Sequence, residues 1–376
     1  MSMSKYKFRK DKCITIIIII GYTLAIRENR TMETKNVMLK NSEFVKEVLM
    51  LLVILGHAVH FWTGDWFTNN PFYESESLAT LSNWIVSFHI YAFVLVSGYI
   101  FAFKKWEGGY PKYKQFIANK TKRLLVPYAF VAMIWVVPIS QYFMKCNKVE
   151  VLKKYVLCIN PSQLWFLWML FWVFMIAWPL WKWLSSSVYI GTVIAIVLFC
   201  IGVVGSKVIP NVFCIWTAFL YMPYFYIGIY IRLEQEKKEK VWIEKIPLFF
   251  WVLAEIVIYI LNLMVAKGKI GFSHFVIITE FAVHMVGAIT AFLVLQRIAE
   301  RVNWRKKRLC VVLAKYSMPM YLFHQQLIYF SIFWLNGKVH PYINAGVNFV
   351  VAIMGSMIIS WILMKFKITK LLIGEK

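Results

Sequence analysis

Apolar runs long enough to cross a bilayer recur along the chain, separated by short stretches rich in lysine and arginine. A helix rises about 1.5 Å per residue, so about 20 apolar residues span the hydrocarbon core. The runs predict ten membrane helices, at 44–62, 78–103, 124–143, 164–181, 188–208, 213–231, 246–265, 274–295, 309–333 and 343–364. Ser317 and Pro319 lie inside the ninth, and the proline, which removes a ladder hydrogen bond, predicts a kink or break there. No soluble domain fits between or after these runs. The expected architecture is an all-α polytopic membrane protein, about ten transmembrane helices in one bundle over residues 41–376. Residues 1–40 read differently. A basic stretch at 5–12 precedes an apolar stretch at 13–26 that is short for a span and lacks a small-x-small cleavage site. They are expected to be an extension upstream of a start at Met32 or Met38, or a peripheral helix.

Composition agrees, since 60% hydrophobic against 16% charged residues excludes a soluble domain with one core. The net charge of +24 alone would suggest nucleic acid. Most of the basic residues fall between the hydrophobic runs, however, where they read as topology signals and contacts to anionic lipid. A nucleic-acid partner is therefore not expected, whereas a phosphorylated cofactor is compatible with the clusters. Of the 42 lysines and arginines, ten precede or open the first helix, eight fall on one side and the other 24 on the opposite side. The positive-inside rule then predicts both termini in the cytoplasm. The exterior loop 144–163 carries Lys145, Lys148, Lys153 and Lys154, facing an anionic polymer or simply solvated.

The six cysteines form no CxxC pair and no metal spacing, so no metal is expected. Cys146 and Cys158 share the exterior loop, as a disulfide or as free thiols. Most tryptophans and tyrosines belong to an aromatic belt; Trp165 and Trp168 either stack on a sugar or anchor in lipid.

Candidate chemistry begins in the first helix. Lys46 and His57 are eleven residues apart, about three turns, and so share a face with about 16 Å between them. A polar residue that deep in an apolar helix marks a functional site by default. A cation at the mouth and a base at mid-membrane suit an anionic carrier held at one side, with chemistry further in. His60 shares the face three residues on, and His89 occupies the second helix; each is a candidate catalytic or acceptor-contacting residue. Lys120 and Arg123 add cations at the start of the third helix. Glu280 and His284 are spaced as a structural pair, Glu255 as a buried partner or proton holder, and His324 with Gln325 and Gln326 as interhelical glue.

Five segments in order resemble the membrane acyltransferase type three family: FVKEVLMLLVILGHA (44–58), WIVSFHIYAFVLVSGYIF (84–101), KTKRLLVPY (120–128), QLWFLWMLF (163–171) and YSMPMYLFHQQLIY (316–329). The resemblance covers about 40–365, and the SFH form of the second helix looks most like the sugar and polysaccharide O-acetyltransferase branch that includes fucose O-acetylases. It implies a ten-helix enzyme in which His57 is catalytic and Lys46, Lys120 and Arg123 bind the cofactor. Where the family has an arginine ahead of the catalytic histidine, this chain has Lys46; where the family has Arg-x-x-Arg, it has Lys120 and Arg123. Each lysine keeps the charge but loses the bidentate fork. The implied donor is acetyl-coenzyme A or another short acyl-coenzyme A such as succinyl, and the implied acceptor a hydroxyl of a surface glycan or its lipid-linked precursor. The implied setting is a bacterial plasma membrane, with lipid as the other partner. A glycan or anion transporter, or a flippase without acyl chemistry, is the rival, although no half-to-half similarity supports it.

The loop bias makes a testable prediction. Single cysteines at Lys112 and Arg301 should be protected from an impermeant thiol reagent added outside, and one at Lys153 should label, once the native cysteines are removed. Equal labelling of all three would overturn the orientation.

Overall fold

A segment in hydrocarbon must satisfy its own backbone polar groups, and helices do so without a partner. The computed structural model describes residues 41–375 apart from 65, 67–69, 146, 238–240, 267–274, 303 and 305–307. The reading of residues 1–40 and the Cys146–Cys158 pair thus fall outside the described residues. The chain divides into Met1–Glu43 and Phe44–Lys376. Of the first unit, residues 41–43 are described, and they are helical.

Ten long helices correspond to the ten expected: α1 (Asn41–Thr63), α2 (Glu76–Trp106), α3 (Tyr113–Met144), α4 (Ser162–Leu184), α5 (Val188–Val208), α6 (Val212–Glu236), α7 (Leu248–Ala266), α8 (Phe275–Arg301), α9 (Arg308–Leu335) and α10 (Pro341–Leu363). Among the described residues nine helices are long and apolar enough to cross a membrane. The one outside that set is α9, whose 28 residues include Lys315, His324, Gln325 and Gln326. The protein is an all-α polytopic membrane protein.

Two expectations shift in detail. The third helix starts eleven residues before the apolar run, because its polar first turns continue the ladder past the apolar segment. It also absorbs two prolines. A π turn at Thr121–Leu125 precedes Pro127 and another at Ala132–Val136 precedes Pro138. The wider turn relieves the clash between each proline ring and the preceding carbonyl. Of the kink or break expected in α9, the break does not occur: the helix runs unbroken through Pro319. It packs along α10 and against α3, and those contacts hold it through the missing bond.

The hub is α2, with 72% of its apolar window buried, against 17% for α5 and α7, which therefore form the rim. It packs on α6 and α8, while α6 packs on α4 and α5, and α7 on α8. The α2–α6 crossing brings backbone against backbone. A Cβ at Gly98 would lie 2.0 Å from the Phe225 carbonyl oxygen, and one at Gly228 would lie 1.9 Å from that of Leu95. Small residues at such crossings let membrane helices approach closely. On the other side α1 meets three partners. Ile85 of α2 packs 3.2 Å from the position a Cβ would take at Gly56. Asn348 of α10 donates from Nδ2 to the Ala58 carbonyl at 3.1 Å, and Ser331 of α9 donates to Asn348 Oδ1.

Gly228→Ala should lower stability by about 1–3 kcal/mol, the usual cost of overpacking, because the Leu95 carbonyl cannot move aside. Gly346→Ala on α10 meets nothing within 4 Å and should leave the melting midpoint unchanged or raised. Thermal unfolding of the two variants in detergent checks this, and equal midpoints would contradict it.

Candidate functional site

Basic residues from three helices gather at one end of the bundle. Lys46 opens α1, Lys104 closes α2, and Lys120 and Arg123 lie in the first half of α3. Lys120 is within electrostatic range of Arg123, Lys104 and Lys46. Its Nζ lies 3.3 Å from the ring centroid of Phe174 and 5.3 Å from that of Phe116. Lys46 Nζ lies 5.8 Å from the ring centroid of Phe93. Aromatic faces attract cations, so both ammonium groups are steered into the bundle. The π turn that follows Lys120 carries Lys122 and Arg123. Arg123 is exposed and faces Glu375 electrostatically. Burial raises the Glu375 carboxyl above its ordinary range, opposed by the positive charges of Arg123, Lys370 and Lys315.

Three turns along α1 lies a cluster of histidines. His57, His60, His89 and His324 fall within mutual electrostatic range. His57 is deep in the bundle yet keeps part of its surface accessible. Its Nδ1 lies 2.7 Å from Nε2 of His324, which is fully buried on α9. The two rings are 6° from parallel with centroids 4.9 Å apart. That separation adds the two ring radii to a nitrogen–nitrogen bond, so the rings meet end to end in one plane rather than face to face. His60 Nδ1 pairs with the Ser82 hydroxyl at 2.8 Å. His89 donates from Nδ1 to the Ile85 carbonyl at 2.7 Å, and its buried Nε2 has no partner among the described residues. Trp66, in the α1–α2 connection, lies over this group, with centroid distances of 5.6 Å to His57 and 5.7 Å to His60.

A series of ring contacts runs between the two regions. Phe93, beside Lys46, meets Phe166 at 5.4 Å; Phe166 meets Tyr321 at 5.8 Å; Tyr321 meets His324 at 6.1 Å. The structure thus brings Lys46, Lys120 and Arg123 to one place and His57, His60 and His89 to another, with an apolar wall between.

Other candidates separate from this site. His284 stacks on Tyr91 at 3.9 Å and bonds the Ser87 carbonyl, while Glu280 is exposed. The spacing of Glu280 and His284 therefore does not describe where the histidine goes. Glu255 accepts from the Trp84 indole at 2.7 Å. Gln326 exchanges hydrogen bonds with Gln163, which is the interhelical role expected of it. Trp168 packs on Phe213 and Trp165 on Tyr221. Cys158 has Cys214 beside it, whose Sγ lies 3.2 Å from the Cys158 carbonyl.

His324, read as interhelical glue, does join two helices; its partner is His57, the candidate base, which sequence reasoning did not name. A signal existed: Ser317, Tyr321 and His324 recur four and three residues apart, a polar stripe on one helix face. Trp66 carried no such signal, because it lies in a loop.

A family model described as an acyltransferase domain matches residues 40–365. No curated protein and no solved structure matches the chain. The chain belongs to the membrane acyltransferase 3 family.

Proposed function

We propose that this multi-pass membrane acyltransferase takes a short acyl group, acetyl in the first instance, from cytoplasmic acyl-coenzyme A. It transfers that group to a hydroxyl of an extracytoplasmic polysaccharide or its lipid-linked precursor. The observation that carries this reading is the placement of His57. It is a partly accessible imidazole deep in the bundle, three turns from a cluster of four cations, in a chain of the acyltransferase family. In this reading both termini are cytoplasmic, so the basic end faces the donor and the histidines face outward.

Coenzyme A is polyanionic at one end and thin along its arm. Lys46, Lys120 and Arg123 neutralise its phosphates through charge-assisted hydrogen bonds. The arm runs past Phe93, Phe166 and Tyr321 to bring the thioester to His57. The imidazole takes the proton of the acceptor hydroxyl as its oxygen bonds the acyl carbon. The carbon–sulfur bond then breaks, and the leaving thiolate recovers that proton, giving ester and free coenzyme A. His89 Nε2, an acceptor without a partner among the described residues, takes a hydrogen bond from the acceptor substrate. His60 holds the outer edge of the same site. Family membership favours this chemistry over bare transport of a glycan or anion.

Lys46→Ala and Arg123→Ala should each weaken coenzyme A binding by about 1–3 kcal/mol, the worth of a hydrogen bond to a charged group. Added salt should weaken wild-type binding as well. Calorimetry on purified protein measures both, and wild-type affinity in the two variants would remove the phosphate roles.

His57→Ala should abolish acyl transfer while leaving insertion and coenzyme A binding intact; loss of a general base costs about 10²–10⁴ in rate. His57→Gln keeps a hydrogen-bonding side chain but no base, and should be equally inactive. Mass analysis of surface glycan from cells carrying each variant provides the readout. Near-normal acylation by the glutamine variant would make His57 structural.

A further inference from the structure

The His57–His324 contact fixes more than a distance. We propose that His324 is a positioning residue that locks His57 into one tautomer, with its proton on Nδ1 and a lone pair on Nε2 aimed at the acceptor hydroxyl. This inference rests on the reading of His57 as the base.

The argument starts from carbonyls, which only accept. His324 Nδ1 lies 2.8 Å from the Tyr321 carbonyl oxygen and 3.1 Å from that of Met320. A nitrogen held between two carbonyl oxygens carries a proton. A neutral imidazole has one N–H, and a ring fully enclosed in the bundle favours the neutral form. His324 Nε2 is therefore a lone pair. The 2.7 Å contact to His57 Nδ1 needs one proton, and His57 must supply it. With Nδ1 protonated, the basic nitrogen of His57 is Nε2, at the opposite edge of the ring from His324. Which nitrogen of a histidine is basic is set by the hydrogen bond that the other makes. The near coplanarity of the rings aligns this bond along the lone pair, which also fixes the direction in which Nε2 points.

The same bond serves the step that follows. When Nε2 takes the hydroxyl proton, the charge spreads over the His57 ring and the Nδ1–H···Nε2 bond becomes charge-assisted. When the thiolate takes that proton back, the ring returns to its starting tautomer. No proton leaves His57 Nδ1 at any stage, so His324 is unchanged by the cycle. The anchor of His324 is its own helix, since Met320 and Tyr321 are the residues four and three positions earlier. The orientation of the base is thus transmitted from α9 to α1.

The test compares two substitutions. His324→Leu removes the acceptor and should lower kcat by about 10- to 100-fold, taking as a guide the cost of losing an outer-shell hydrogen bond to a metal-binding histidine. The KM for acetyl-coenzyme A should not change. His324→Gln places an amide oxygen near the position of Nε2, accepts from His57 Nδ1, and should recover most of kcat. In wild-type protein carrying ¹⁵N-labelled histidine, solid-state NMR should assign the proton of His57 to Nδ1; this measurement needs no variant to fold. A His57 protonated on Nε2 in the wild type would overturn the inference. So would wild-type kcat in His324→Leu, or equal loss in well-folded leucine and glutamine variants. If His57→Gln retains activity, the reading of His57 as base fails instead, and the two failures are told apart by that one variant.

Discussion

Inside a bilayer a polar atom without a partner is costly, and no solvent is at hand to supply one. The constraint explains why the chain forms helices, and also how its helices carry polar side chains. Ser97, Ser356 and Ser360 bond carbonyls one turn back on their own helices. His89 and His324 do the same through Nδ1. For serine this is mere satisfaction. For histidine it has a second effect, because spending one ring nitrogen on the backbone leaves the other as a defined acceptor. Two of the four clustered histidines are therefore oriented by local backbone before any tertiary contact forms. The two helices present these Nε2 atoms differently: that of His324 meets His57, and that of His89 is buried with no hydrogen-bond partner among the described residues.

Close packing at the hub makes this geometry reproducible. The glycine crossing of α2 and α6 puts backbone in contact with backbone, which leaves no freedom to slide by a fraction of a turn. His89 and Ser82, the partner of His60, both lie on α2 and so inherit that rigidity. On the opposite side Asn348 and Ser331 tie α1, α9 and α10 one residue beyond His57. His57 is thus held between a helix fixed by steric contact and a pair fixed by buried hydrogen bonds.

The basic end is built on another principle. Its cations come from three helices, and two of them meet aromatic faces: Lys120 lies over Phe174 and Lys46 beside Phe93. An aromatic face attracts an ammonium group without neutralising it. Replacing the family's arginines with lysine at positions 46 and 120 suits such rings, since a compact ammonium needs no forked partner.

The ten helices and the membrane class were legible in the chain because apolar run length is a local property that the bilayer thickness turns directly into structure. The Lys46–His57 register was legible for the same reason, since one helix fixes it. The clustering of Lys120 with Lys46 was expected from the family likeness, and the packing of α3 against the bundle produced it. The role of His324 was hidden: 267 residues separate it from His57, and no periodicity within either helix says which partner it will face. Pro319 was read as a kink or break because local rules price the missing bond, whereas contacts with α3 and α10 hold the helix through it without a break. The sequence alone determined which segments are helical and which carry polar atoms into the membrane. The tertiary structure alone decided which of those atoms meet, because the energy of a buried hydrogen bond depends on both ends and each helix holds only one.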